Sequence, residues 1–537
     1  MRNIKKYYEY LDELSEKKLY EGLLGYGLFS DKIPNFLSSK SFYKFCSLQE
    51  PKFEQKHFKH IEYESMRNVN VPRIISIPNP LAYYKHCKAL CENWSELKGY
   101  FKSKTQEQNY KVSRIHIRKI KYKKKIFKNE YKEIFRMNSN DYKEDGAPEQ
   151  EIFIDKKYKV EADISNCFPS IYTHSICWAL VGIDKAKENK NNKEKWYNKI
   201  DKSTQLLNHN ETHGIFIGPH SSNLISEIIL IAVDENLKNY EYVRNIDDYT
   251  CFTETKEKAE QFLIDLSQSL KEFRLSLNHK KTKITELPTS FSKEWINKLK
   301  MFQFIGGKCA NNYPIIVAFM DLALRLMKEN QNDAAILNYA IKMVLKRKMT
   351  KNAKEFFVDT IHHLVLLYPY LISLLEFIFN KHIIKKDKIK RILFDIFKLG
   401  YEKQIYEPMI YALYYSLKYN LDFNINKYDN SKKQCLLDMQ PVIKNDCILL
   451  LLSYLFDKKN KQDIESYIKL AEKYVIKEVK TEKYIIDDEY WLFAYEVLRL
   501  EKPKYLDKCK DWKQLKDKEI SFIQSKFLKL VNNKFKN

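Results

Sequence analysis

The chain is 537 residues long and carries 94 Lys and Arg against 70 Asp and Glu, a formal net charge of +24. That balance favours a polyanionic partner, and 44% apolar residues supply sizeable cores, which excludes wholesale disorder. Glycine, at 11 of 537 residues, is too scarce for propellers or collagen-like repeats, so long helices are the expected framework.

The ten cysteines include no C-x-x-C pair. Cys87 and Cys91 alone lie close together, a spacing that reads as two small residues on one helix face better than as zinc ligands. The opening MRNIKKYYEYLDELSEKK is charged throughout, unlike a secretory signal. The best apolar window, Leu364 to Leu375, is interrupted by Pro369 and too short for ~30 Å of hydrocarbon. The expectation is a soluble, reduced, cytoplasmic protein.

In chain order, the first 60 residues read as a helical arm, with Leu11, Leu14, Leu19 and Leu23 and then a loop around Pro34. Arg73 to Pro78 has β-branched strand character, ended by Pro78 and Pro80, and a helix is predicted from Leu81 because Tyr84, Cys87, Lys88 and Cys91 recur at helical spacing. Residues 116–132, HIRKIKYKKKIFKNEYK, hold eight Lys or Arg against one Glu with aromatics between them. The run suits contact with nucleic-acid phosphates; the alternative is the solvated face of a lysine-rich protein.

The region from Tyr158 to Gly307 is the most informative. An alternating run reaches Asp163 and turns helical near Tyr172; Lys185 to Lys195 reads as a surface loop. A glycine turn, Gly214 to Gly218, opens a long apolar helix, and two short β-prone runs flank Asp247 and Asp248, with a tight turn at Asn245 to Asp248. In a glycine-poor chain, two glycines at one turn suggest close approach of backbone to a ligand. A helix near Lys256 to Phe273, the basic RLSLNHKKTKI and FQFIGGK follow.

From about residue 310 successive amphipathic stripes replace the strands: Leu337, Ala340, Ile341, Val344 and Leu345; then Ile389, Ile392, Leu393, Ile396 and Phe397, stopping at Gly400; then Ile410, Leu413, Tyr414 and Leu417. The predicted architecture is α+β, an antiparallel sheet with helices over residues 1–310, followed by an all-α domain over 311–537 built as a helical stack without a strict period.

One carboxylate at a strand end and a carboxylate pair in a hairpin some 80 residues later suit two-metal phosphoryl transfer, because two ions ~3.5–4 Å apart need shared anionic ligands. Asp163 would be shared, and one or both of Asp247 and Asp248 would complete the set; neighbouring strand residues point to opposite faces, so both reach the metals only at a tight turn.

On these strings the chain resembles a reverse transcriptase, and more closely the bacterial abortive-infection, AbiK-like phage-defence group. The resemblance rests on ADISNCFPSIYTHSICW, ETHGIFIG with SSNLISEI, RNIDDYTCF, LSLNHKKTKI and FIGG, spanning residues 70 to 307. It implies fingers and palm before residue 310 and a HEAT-like helical domain after it. It also implies dNTP transfer with Mg²⁺, or Mn²⁺ in its place; a DNA product, untemplated or copied from RNA or DNA, and primed from a protein tyrosine; self-assembly; and a bacterial cytoplasmic role in antiviral defence. The implied metal set is Asp163, Ile164, Asp247 and Asp248, and the implied nucleotide set is Phe168, Gly218, Lys281 and Arg73. Phe168 resembles a gate against 2′ hydroxyls, or is a core aromatic; Lys281 would face the leaving triphosphate, with Lys280 as competitor; Arg73 is a triphosphate ligand or a solvated strand residue. Two departures are Asn245, where the family carries an aromatic, and Phe216-Ile217, where it carries Pro-Gln; both put ordinary templated copying in question.

A second Ile-Asp-Asp string at Asp487-Asp488 precedes helical spacing and reads as N-cap and first-turn residues. His174 and His213 lack ligand spacing and read as hydrogen-bonded structural histidines. The competing functions are a non-catalytic nucleic-acid scaffold on a polymerase-like palm, and a mobile-element reverse transcriptase, the latter disfavoured by the lack of zinc pairs or an HNH-like cluster.

Overall fold

Short alternating runs and one hairpin turn organise the sheet that carries the carboxylates. In the computed structural model, which describes residues 6–68, 71–107, 112–113, 148–290, 293–305, 310–381, 384–423, 435–478 and 482–531, five strands lie in the order Val112–Ser113, Glu241–Asn245, Asp248–Thr253, Tyr158–Asp163 and Lys283–Glu286. All neighbours are antiparallel except the two-residue Val112–Ser113 pairing. Val160 and Ala162 are buried on the Tyr158–Asp163 strand, as period-2 alternation requires. The basic run 116–132 and the glycines of FIGG lie outside the described residues.

Two helices back this sheet. His220–Glu235 is buried along almost its whole length, and Lys256–Glu272 is amphipathic, its N-terminus capped by Thr255, whose hydroxyl accepts from the Lys258 N–H. A separate hairpin, His60–Ser65 with Arg73–Pro78, leads into the helix Pro80–Glu92, where Asn79 caps and Pro80 takes the first position. Cys87 and Cys91 are buried on that helix.

Beyond residue 310 helices dominate, among them Tyr313–Glu329, Ala335–Val344, Lys351–Leu367, Lys386–Lys403, Tyr406–Tyr419, Cys447–Lys459 and Trp491–Glu501. Three sequence expectations are corrected here. The region is not all-α: Val475–Lys477 and Tyr484–Ile486 form a hairpin, too short and lysine-rich to show an alternating pattern. The helix holding Ile389 to Phe397 does not stop at Gly400 but runs to Lys403, with Gln404 left-handed at its end. Gly400 is there because a Cβ would lie 2.7 Å from Met409 Cγ and 2.8 Å from the Ile405 carbonyl oxygen; the helix Tyr406–Tyr419 packs too close for a side chain. Lys185 to Lys195 is not all loop, since Ile183–Glu188 is helical, Gly182 beginning it with φ +85°.

The two halves share one apolar core, which includes Leu23, Leu224, Ile316, Ile410 and Trp491. The N-terminal arm is laced to the far end of the chain: Ser38 N–H donates to Phe522 O at 2.7 Å, and Gln524 N–H to Phe36 O at 2.8 Å. Buried carboxylates continue the lacing. Asp511 accepts from the Glu54 and Gln55 N–H groups, and Glu407 from Met66 N–H and Tyr63 Oη. Asp488 accepts from Lys59 N–H, Gln55 Nε2 and Asn79 Nδ2. The N-cap reading of Asp487-Asp488 is therefore wrong: Asp487 turns the chain by accepting from Glu489 N–H, Asp488 reaches across to the first hundred residues, and the next helix starts at Trp491. Among the described residues, no helix is long and apolar enough to cross a membrane.

Candidate active site

Asp163 ends its strand directly opposite Asp248, which begins the next one, so register alone brings two carboxylates together. The turn Asn245 to Asp248, joining Glu241–Asn245 to Asp248–Thr253, is tight, with Ile246 at φ +60°, a conformation rarely adopted by a β-branched residue. The turn puts Asp247 beside the same strand end: its carbonyl accepts from Ile164 N–H at 3.2 Å. Asp163, Ile164, Asp247 and Asp248 are thus grouped at one strand end.

The electrostatics are those of crowded carboxylates. Burial first, then Asp247 and Asp163, push the Asp248 carboxyl up to about 6, and it shares a hydrogen bond with Asp163. Burial also raises Asp247, with Asp163 adding to it. Lys281 answers this charge: its Nζ lies 2.9 Å from Asp163 Oδ2, and that contact raises the lysine. Lys281 is placed by the turn following Leu277, which bridges to Ile164; Asn278 Nδ2 donates to the same Asp163 oxygen at 2.9 Å, and Asn278 N–H to the Asp163 carbonyl at 2.7 Å. Lys280 is exposed and makes no such contact.

Among the described residues, no set of three or more His, Cys, Asp or Glu side chains is preassembled in ligand geometry. The donor set still fits a divalent cation. Three hard carboxylates converge, and burial and mutual repulsion raise the proton affinity of Asp247 and Asp248, the state expected of ligands without a cation between them.

Arg73, Phe168 and the two turn glycines lie on other elements. Arg73, exposed on its strand, has its charge disfavoured by burial and by Arg67, while Asp247 favours it. Phe168 lies half-buried on the short helix Cys167–Ser170 and packs against the core; its carbonyl accepts from Ile215 N–H at 2.9 Å, joining this helix to the glycine turn. Gly214 and Gly218 have φ +84° and +135°. A Cβ on Gly214 would lie 3.2 Å from the Pro169 carbonyl oxygen, and one on Gly218 would lie 2.9 Å from Ile75 Cγ2 and 3.0 Å from Ser76 O. Their freedom serves the chain's own packing, and Ser76 N–H donates to Ile217 O at 2.9 Å beside Gly218. His174 Nδ1 pairs with Asp201 at 2.5 Å, a structural partnership that raises the imidazole, and Tyr172 bridges to His213.

Sequence reasoning missed the support beneath the turn. Arg244 is fully buried and donates to Asp234 along the Nε–Nη2 edge of its guanidinium and to Glu227 along the Nη1–Nη2 edge, while its Nη1 also donates to Ile246 O at 3.0 Å. It holds the left-handed residue that precedes Asp247. The available signal was three charges in largely apolar runs: Glu227 and Asp234 inside ISEIILIAVDE, and Arg244 after Tyr242 and Val243 in a strand. Asn278 was passed over because two lysines follow it.

Residues 104–309, which include the grouped aspartates, match the family model for reverse transcriptase (RNA-dependent DNA polymerase). Among solved structures, the chain is similar to apo telomerase from Candida tropicalis at 11% identity and a TM-score of 0.29, over 71% of this chain and 70% of that one. It is also similar to telomerase from Candida albicans in complex with the TWJ fragment of telomeric RNA, at 11% identity and a TM-score of 0.26, over 67% and 66% of the two chains. No curated protein matches the sequence.

Proposed function

We propose that this chain is a DNA polymerase of reverse-transcriptase type. The observation that carries the reading is the convergence of Asp163, Asp247 and Asp248 at one strand end, with Lys281 on Asp163. Asp163, Asp247 and Asp248, with Ile164 alongside, would hold two Mg²⁺ or Mn²⁺ ions, which supply charge neutralisation to the phosphates when bound. In the reaction, a hydroxyl oxygen forms a bond to the α-phosphorus of a dNTP, and the bond from that phosphorus to the β-phosphate oxygen breaks to release pyrophosphate. Lys281 and Arg73 face the triphosphate and stabilise the leaving charge. Phe168 takes the place under the sugar and excludes ribonucleotides by shape.

The finer reading is antiphage abortive infection, with untemplated, tyrosine-primed synthesis by a self-assembled enzyme whose helical half is HEAT-like. It is supported by the YTHSI and THGI strings and by Asn245 and Phe216-Ile217 at the positions where copying enzymes carry other residues. Phe216 is buried against His60, ring centroids 4.2 Å apart, and so is committed to packing.

The test supplies purified full-length protein with Mg²⁺ and each labelled dNTP alone, then treats the product with protease. Incorporation that Asp247→Ala abolishes supports the polymerase, and a mobility change on proteolysis supports a protein primer. Identical behaviour of wild type and Asp247→Ala, with no DNA made, leaves a nucleic-acid scaffold instead.

A further inference from the structure

A cavity of about 1290 Å³ lies between the N-terminal arm, the hairpin His60–Ser65 with Arg73–Pro78, and the helical half. It exceeds the ~300–1,000 Å³ of ordinary small-molecule pockets. Five cations line it, Lys32, Arg67, Arg73, Lys342 and Lys346, and among the described residues none of them takes part in an ion pair.

The cations crowd one another. Lys342 is pushed down by burial and then by Lys32, and Arg73 by burial and then by Arg67. The acids in the wall do not answer them fully. Glu376 is paired with Lys418 and accepts from Tyr414 Oη, and Glu407 is occupied by Tyr63 Oη, Ser65 Oγ and Met66 N–H. Asp31 alone remains against five positive groups. Like charges held together beside a large open volume are the arrangement a chain of phosphates would relax.

Aromatic surface interleaves this charge. Phe377 lines the cavity and is 48% exposed although it is a large apolar side chain, and Tyr370 and Tyr411 stand in the same wall. Cations that follow a backbone, with ring faces between them, are the elements by which single strands are held without regard to sequence. Arg73 joins the cavity to the carboxylates, since it lines the wall and Asp247 is the acid acting on it.

We propose that this cavity binds single-stranded polynucleotide, Lys32, Arg67, Lys342 and Lys346 contacting phosphates and Phe377 stacking on a base, and that the strand threads from it past Arg73 to the carboxylate site. The threading rests on the polymerase reading, whereas occupancy of the cavity is measured without any chemistry.

The experiment measures fluorescence anisotropy of labelled oligo(dT) on full-length protein carrying Asp247→Ala, with unlabelled single strand and duplex of equal length as competitors. The double variant Lys342→Glu with Lys346→Glu, both exposed positions, is expected to weaken binding at least tenfold. It should also lower the slope of log affinity against log salt by about 1.4, the share of two phosphate contacts. Phe377→Ala is expected to weaken binding about fivefold or more, and the equally charged control Lys328→Glu with Lys348→Glu, outside the cavity, to change it less than twofold. Unchanged affinity and slope in the cavity variants, or a duplex that outcompetes the single strand, overturns the proposal. Labelled dNTP incorporation by wild type is scored separately: strand binding without incorporation removes the polymerase and leaves the cavity, and incorporation with unaltered strand binding in the variants does the reverse.

Discussion

Lys281 Nζ lies 2.9 Å from Asp163 Oδ2, joining a side chain that is 65% exposed to one that is 8% exposed. The exposed partner can swing; the buried one is fixed by Asn278 and by its strand. A cation so placed neutralises the carboxylate, and on the proposed polymerase reading it is free to turn to a phosphate.

Lys281→Ala is therefore expected to reduce dNTP incorporation about 10²-fold, the loss seen when one preorganised charge donor is removed, mainly in kcat, with the fold intact. Steady-state incorporation and a thermal melt check both halves. A rise in KM alone would place Lys281 in ground-state binding.

Arg244→Met is expected to destabilise the protein by about 3–5 kcal/mol, because Glu227 and Asp234 would stay buried and uncompensated. The triple variant that adds Glu227→Gln and Asp234→Asn should recover much of that loss. Even Arg244→Lys, which cannot bond three partners in one plane, should lower incorporation. Urea denaturation monitored by circular dichroism, alongside incorporation, tests each variant.

Stability should rise on mild acidification. Burial pushes the carboxyls of Glu407, Asp446, Asp457 and Asp488 up to about 7, above ordinary values of 4.5 for Glu and 3.8 for Asp. A carboxyl raised on folding binds its proton more readily in the folded state, so folding gains as pH falls through 7 and loses as pH rises to 8; each group contributes up to about 1.4 kcal/mol per pH unit while it titrates. Buried His86 and His220, held down at about 3 and about 4, take protons only on unfolding and so oppose part of this gain below 6.5. Denaturation midpoints at pH 8, 7 and 6.5 and constant ionic strength should climb in that order, with a shallower climb in Asp488→Asn. A fall from 8 to 6.5 would refute this.

Three glycines should respond differently to alanine. Gly99 is exposed in the helix Trp94–Thr105 with nothing within 4 Å of an added Cβ, so Gly99→Ala should stabilise by about 0.5–1 kcal/mol. Gly400→Ala meets Met409 and the Ile405 carbonyl and should destabilise. Gly218→Ala combines φ +135° with a clash on the Arg73–Pro78 strand, and about 1–3 kcal/mol of strain is expected, with a matching loss of incorporation. Melting temperatures of the three variants rank them.

What was legible in the sequence was what neighbours along the chain decide. The strand ends at Asp163 and Asp248, the turn between Asn245 and Asp248 and the strand Arg73–Pro78 follow from alternation and turn chemistry, and fall where expected. Illegible were features decided by distant partners. Arg244 looks like any strand arginine until Glu227 and Asp234 close on it, and Asp488 looks like a helix cap until Lys59 and Asn79 arrive from over 400 residues away. Nor does local sequence show that the Gly218 turn lies against the backbone of Ser76.

The lacing of Ser38 to Phe522, Lys59 to Asp488 and Met66 to Glu407 sets an order of manufacture. The segment made among the first must wait for groups made among the last, on the order of a minute at ribosomal speeds of ~5–20 residues per second. Through that interval the N–H groups of Ser38, Lys59 and Met66 have only water for partners, and the hairpin that carries Arg73 lacks its support. An incomplete chain therefore withholds its chemistry, and proteolytic removal of the tail would unbutton the protein at the opposite end of its sequence.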